Sequence, residues 1–215
     1  MPDFEKTMNP ETREAVVGEI RAALVSSCPG SRVELRGSLA DGTADVYSDI
    51  DLAWTVPDER FGAAARCVPD VLGGLRPLES VRSDPELQCS AKRRLLFVLF
   101  RDLPLFWRLD LEIWAASSEG DTTHEPGAAG TDWSPHASAV ANAVAAVKAV
   151  RRGRFDDARG LVDRGFERIG SRDRASGDWA ADITRLAEQA ASLEAGAPEL
   201  GGLARRVREL VAELL

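Results

Sequence analysis

Residues 33–56 read VELRGSLADGTADVYSDIDLAWTV and hold the residues best suited to chemistry. A short alternating run, Val33 and Leu35, ends at Gly37-Ser38; after a spacer, Asp49 and Asp51 lead into Leu52, Ala53 and Trp54. Two carboxylates two positions apart on an extended chain project to one face. They repel each other unless a hard cation lies between them. A Gly-Ser turn offers N–H groups and a hydroxyl where the missing Cβ lets a ligand come close. A phosphate group carried with a divalent metal satisfies both halves.

A third carboxylate follows. Arg94 to Phe100 is an apolar run, residues 101–104 form a turn, and Leu105 to Trp114 (LFWRLDLEIW) returns with strict alternation. Phe106, Arg108, Asp110, Glu112 and Trp114 share one face; Trp107, Leu109, Leu111 and Ile113 share the other, which reads as the core face. Taken alone, Asp110 and Glu112 fit the wet face of an antiparallel strand, balanced by Arg108. Glu112, one pleat along, is a general base for an acceptor hydroxyl or a partner of Arg108.

Gly-Ser after a strand, a spacer, and Asp-x-Asp opening the next strand resembles the signature of the nucleotidyltransferase superfamily that includes DNA polymerase beta. The resemblance implies that Gly37 and Ser38 hold a nucleoside triphosphate, that Asp49 and Asp51 hold magnesium, and that Asp110 is the third aspartate. Two rival motifs fail. Gly37 and Gly42 have P-loop spacing, but Thr43-Ala44 stand where Lys and Ser or Thr are needed. An EF-hand loop from Asp45 or Asp49 lacks its sixth-position Gly and its twelfth-position acid.

Positioning these residues takes a small set of elements. Asn9-Pro10-Glu11 starts a helix. It carries Ala15, Val16, Ile20, Ala23 and Leu24 on one face and stops before Pro29-Gly30. The two motif strands follow. Pro57-Asp58 opens a helix to about Arg66, with a further helical piece from Pro69. Leu78 to Val81 reads as a short strand, and the hairpin bearing Asp110 completes a mixed sheet backed by helices.

Residues 117–133, rich in Gly, Ser, Thr and acids, read as a linker between a catalytic domain over 1–116 and a helical domain over 134–215. From Ser134-Pro135 on, four stripes recur at spacings of three and four: Val140, Val144, Val147, Val150; Phe155, Ala158, Val162, Phe166, Ile169; Trp179, Ile183, Leu186, Ala190, Leu193; and Leu203, Val207, Leu210, Val211, Leu214. Short connections at 152–153, 170–177 and 196–202 point to a four-helix bundle. The predicted class is therefore α+β, a mixed-sheet nucleotidyltransferase domain followed by that bundle. This arrangement resembles the kanamycin nucleotidyltransferase-type small-molecule adenylyltransferases. Lys148 falls among Ala137, Ala141 and Ala145, with Arg152 one turn on. The resemblance implies that a lysine of the helical domain reaches the triphosphate, and Lys148 is the candidate.

Composition narrows the function. The formal charge is −8; residues 1–140 hold 14 Lys and Arg against 23 Asp and Glu, a net of −9, and residues 141–215 hold 13 against 12, a net of +1. No basic stripe is present to neutralise a nucleic-acid backbone. The acidic half suits a small acceptor, one bearing ammonium groups in particular. Three scattered cysteines and two histidines, His124 and His136, argue against a disulfide framework and a histidine-rich metal site. With no apolar run of about 18 residues and no apolar leader, the expected setting is cytoplasmic, as monomer or homodimer. The expected reaction is transfer of a nucleoside monophosphate, AMP from ATP, to a hydroxyl of an aminoglycoside-like small molecule. Two magnesium ions would be held by Asp49, Asp51 and Asp110. The alternative is a regulator resembling the minimal nucleotidyltransferase antitoxins, acting on a protein partner.

Overall fold

The computed structural model describes residues 8–121, 123, 130, 133–194 and 196–215. The chain divides into two compact units, Met1–Trp133 and Ser134–Leu215.

The first unit is α+β. Helix α1, Pro10–Ser27, is capped by the Asn9 side chain, which accepts from the Glu11 amide, and begins with Pro10. Its buried stripe is Arg13, Val16, Val17, Ile20 and Leu24. Ala15, expected in that stripe, is exposed, and Val17 takes its place. Strand β1, Arg32–Leu35, leads through the one-turn helix α2, Gly37–Ala40, and a loop into β2, Ile50–Val56. A 3₁₀ turn at Asp58–Arg60 enters α3, Phe61–Leu75. Pro69 lies inside α3 rather than starting a new piece. It faces solvent, where water can serve the carbonyl it leaves unpaired, while Phe61, Ala64, Val68 and Leu72 keep the buried face continuous.

Strands β3, Leu78–Ser83, β4, Arg93–Phe100, and β5, Leu109–Ala115, complete a five-stranded sheet in the order β1-β2-β5-β4-β3. Only the β2–β5 pair is parallel. Residues 105–108 are not strand, contrary to the alternation. The Trp107 amide donates to the Pro104 carbonyl in a turn, and both Phe106 and Trp107 are buried. Burial of both aromatic rings outweighs the extension of the strand. From Leu109 to Ile113 the alternation holds: Leu109, Leu111 and Ile113 are fully buried, while Asp110 and Glu112 are half-buried; Trp114, expected on the face of Asp110, is buried.

The second unit consists of α4, Pro135–Arg151, α5, Phe155–Arg168, α6, Trp179–Leu193, and α7, Pro198–Leu214. Helix α4 packs against the other three and is buried on most of its circumference, with Ala139, Ala143, Ala146 and Ala149 beside Val140, Val144 and Val147. Small side chains there let neighbouring helices approach from several directions. Ser134 caps it by accepting from the Ala137 amide. Helix α7 begins at Pro198, so Gly201 and Gly202 lie within it and not in the connection. Two stripe members, Phe155 and Leu193, are more than half exposed, since each sits at a helix end where the stripe passes the edge of its neighbour.

Candidate active site

Strand register brings the predicted acids together. In the parallel β2–β5 ladder Asp51 stands directly beside Asp110, so their side chains share a face. Asp49 precedes the first residue of β2, and its neighbour Ile50 donates its amide to the Arg108 carbonyl at 2.9 Å. Asp51 and Asp110, far apart in sequence, are thus neighbours across the sheet, with Asp49 one residue before β2.

Gly37 belongs to the same place. A Cβ on Gly37 would stand 2.5 Å from Asp51 Oδ2, and the residue has φ +55°. Both conditions favour glycine. The Arg36 amide donates to the Asp51 carbonyl at 2.9 Å, tying the end of β1 to the acidic strand. Ser38 follows in α2, where its carbonyl accepts from the Thr43 amide at 2.9 Å and closes the turn.

The centre of the site is a residue that the sequence reading had treated as a surface counter-charge. Arg108 makes a bidentate pair with Asp110, Nε to Oδ1 at 2.5 Å and Nη2 to Oδ2 at 2.6 Å, and lies 3.7 Å from Asp49 Oδ2. Its guanidinium also rests over the Phe97 ring, 5.0 Å from the centroid. Burial pushes its pKa down, but hydrogen bonding to Asp110 and the charges of Asp110, Asp49 and Asp51 outweigh that and raise it. Three carboxylates therefore act on one cation.

Among the described residues no three His, Cys, Asp or Glu side chains converge as a ready-made metal cage. Asp110 is turned toward Arg108, with Asp49 Oδ2 at 3.7 Å from it, while Asp51 Oδ2 lies beside Gly37. Their oxygen donors are nevertheless those a hard divalent ion takes, and the position of Arg108 shows that the space among them suits positive charge. The donor set matches magnesium in kind; as placed, the carboxylates do not converge on one ion, and Asp110 would have to give up part of its pair with Arg108 to admit one.

Glu112 is placed differently from either expectation. It pairs with Arg93, Nε to Oε1 at 2.7 Å and Nη2 to Oε1 at 2.5 Å, not with Arg108. Arg93 in turn stacks on Trp114 at 4.6 Å. Lys148 lies on α4, in the other unit, half-buried like its neighbours Ala141 and Ala145. Most of the expected linker, including His124, lies outside the described residues.

Two residues with a bearing on the site were not singled out from sequence. Arg108 was signalled by its place on the acidic face of an alternating run. Arg13 was signalled by a charge at a stripe position of α1.

No protein-family model matches the chain, and no curated protein does. A solved structure, that of the GLD-2/RNP-8 complex, is similar with a TM-score of 0.39 and 9% sequence identity, over 87% of this chain and 82% of that one. A likeness of that size bears on neither activity nor partner. No described helix is long and apolar enough to cross a membrane.

Proposed function

We propose that the chain is a magnesium-dependent nucleotidyltransferase of the DNA polymerase beta superfamily, built as a sheet domain with a C-terminal four-helix bundle. It would move the AMP of ATP to a hydroxyl of a small molecule. The observation that carries this reading is the in-register pairing of Asp51 with Asp110, with Asp51 packed against the Cβ-less face of Gly37. Asp49, Asp51 and Asp110 would hold magnesium, which when bound supplies charge to the phosphates and lowers the pKa of an attacking hydroxyl. Gly37 and Ser38 would seat the triphosphate. Lys148 would add a phosphate-binding cation, and its removal should raise the KM for nucleotide. The acceptor hydroxyl would attack the α-phosphorus in line, its proton leaving to bulk water or a phosphate oxygen, and pyrophosphate would depart. The chain contributes positioning and charge more than covalent chemistry. Glu112 is given no base role here, because Arg93 engages it.

The net charge of −9 over residues 1–140 favours a small acceptor bearing ammonium groups over a polyanion. The test is incubation with magnesium and labelled nucleoside triphosphates against a panel of amino sugars, lincosamides, RNA and proteins. A labelled small molecule is expected, with acceptor binding weakened by salt. Labelled RNA, or a labelled protein without any labelled small molecule, would refute the acceptor class.

A further inference from the structure

We infer that Arg13 is a positioning residue for the acidic edge, acting through the loop that delivers Asp49; the inference rests on the nucleotidyl-transfer reading of that edge. Arg13 occupies the buried stripe of α1 with Val16, Val17, Ile20 and Leu24 and is 4% exposed. A leucine or methionine would satisfy that stripe without the cost of burying a charge. What the arginine adds is a pair of hydrogen bonds from one atom: Nη1 donates to the Asp45 carbonyl at 2.7 Å and to the Ser48 carbonyl at 3.1 Å. Those carbonyls belong to the two ends of a tight turn.

The turn is also closed from within. Asp45 Oδ1 accepts from the Tyr47 amide and from Ser48 Oγ, both at 3.0 Å, and Ser48 Oγ accepts from the Asp45 amide at 3.1 Å. Tyr47 stands edge-on to Phe106, 5.3 Å between centroids, which joins the turn to the segment leading into β5. The residue after Ser48 is Asp49. Arg13 therefore sets where the chain stands one residue before the first carboxylate. Burial pushes the Arg13 guanidinium pKa down, and the charges of Asp45, Glu14 and Asp49 offset part of that. Helix α1 is thus a brace that carries the position of the hydrophobic core to the acidic edge.

The experiment uses the full chain as wild type, Arg13→Met, Arg13→Lys, Ser48→Ala and Asp51→Asn. Manganese alone is the titrant, read by electron paramagnetic resonance. Circular dichroism, and hydrogen exchange over residues 44–50, are recorded in EDTA. Arg13→Met should keep the wild-type spectrum, lose at least tenfold exchange protection over 44–50, and bind manganese at least tenfold more weakly. Arg13→Lys should recover part of both losses, because an ammonium retains the charge and can reach one carbonyl. Ser48→Ala opens the turn from its own side, away from the α1 stripe, and should reproduce the loss of manganese affinity even if Arg13→Met does not fold. A folded Arg13→Met with wild-type manganese affinity overturns the inference. So does wild-type affinity in Ser48→Ala together with Arg13→Lys. A wild-type chain that binds no more manganese than Asp51→Asn refutes the nucleotidyl-transfer reading itself, and the inference with it. The former failures appear only in the variants and the latter in the wild type, so the two are distinguishable.

Discussion

Asp182 in the helical unit and Asp110 in the sheet unit each pair with a nearby arginine, Arg185 and Arg108, yet their surroundings differ in kind. Asp182 is fully buried and accepts from the Ser176 amide at 2.7 Å, the Gly177 amide at 3.0 Å, Ser176 Oγ at 3.0 Å and Arg185 at 2.8 Å. Donors from its own connection, 169–178, saturate its two oxygens, and the product is a loop locked onto the start of α6. Asp110 keeps 18% side-chain exposure and pairs with the Arg108 guanidinium, on which the charges of Asp49 and Asp51 also act. The first arrangement supplies enough donors for one acid. The second sets Arg108 among the charges of three half-buried acids at the starts of β2 and β5, two interior strands of the sheet. Saturation by main-chain amides marks an acid that holds structure; under the nucleotidyl-transfer proposal the clustered acids of the sheet unit serve a ligand instead.

That contrast can be broken most sharply by removing a charge on each side. Asp51→Asn should reduce nucleotidyl transfer by about 1,000-fold or more, the scale of losing a group that acts on the transferring phosphate, while the melting temperature holds. Full activity in that variant would end the proposal. Asp182→Asn should do the reverse. Breaking a buried pair costs about 3–5 kcal/mol, to be read from urea melts of the full chain, with activity per folded molecule retained. A stable Asp182→Asn protein would mean that the saturated network is not what holds the 169–178 connection.

Gly37→Ala probes how closely the Gly-Ser turn and Asp51 fit. The added Cβ would meet Asp51 Oδ2 at 2.5 Å, at a φ of +55°. The left-handed backbone alone costs about 1–2 kcal/mol for a residue with a Cβ. The displaced carboxylate should weaken manganese binding about tenfold in a titration. Unchanged binding would show that Asp51 turns aside without consequence. The smallest effect belongs to the helical unit's surface. Phe155 is 53% exposed and stacks on Trp179 with centroids 6.1 Å apart, so Phe155→Ala should cost about 0.5–1.5 kcal/mol. A loss of several kcal/mol there would show that the stripe of α5 is more deeply packed than its end residue indicates.

Capping and alternation were legible residue by residue. Asn9-Pro10 and Ser134-Pro135 start helices, and Leu109, Leu111 and Ile113 face the core, because these signals depend on neighbours three or four positions away or on a period of two. The errors came where burial competes with a local rule. Pro69 sits inside α3, and Leu105 to Arg108 form a turn rather than strand, because Val68 with Leu72 and Phe106 with Trp107 gain more from the core than the backbone loses. Partner identity was less legible still. Nothing in the spacing of Arg93 and Glu112 tells that they meet: the β4–β5 register sets Arg93 opposite Trp114 and Leu95 opposite Glu112, which leaves Arg93 diagonal to Glu112.

By itself, then, the sequence determined which atoms are available at the acidic edge: a Cβ-less turn at Gly37, carboxylates at Asp49, Asp51 and Asp110, and alternation that turns Asp110 away from the core. Local chemistry and strand period suffice for that, because each depends on a few consecutive residues. Register and packing alone set Asp51 and Asp110 side by side, give Asp110 to Arg108 and Glu112 to Arg93, and carry Arg13 from the stripe of α1 to the carbonyls of Asp45 and Ser48. Those contacts join residues separated by tens of positions or depend on which side chain wins a shared partner. Both are set by sheet register and core packing, not by spacing along the chain.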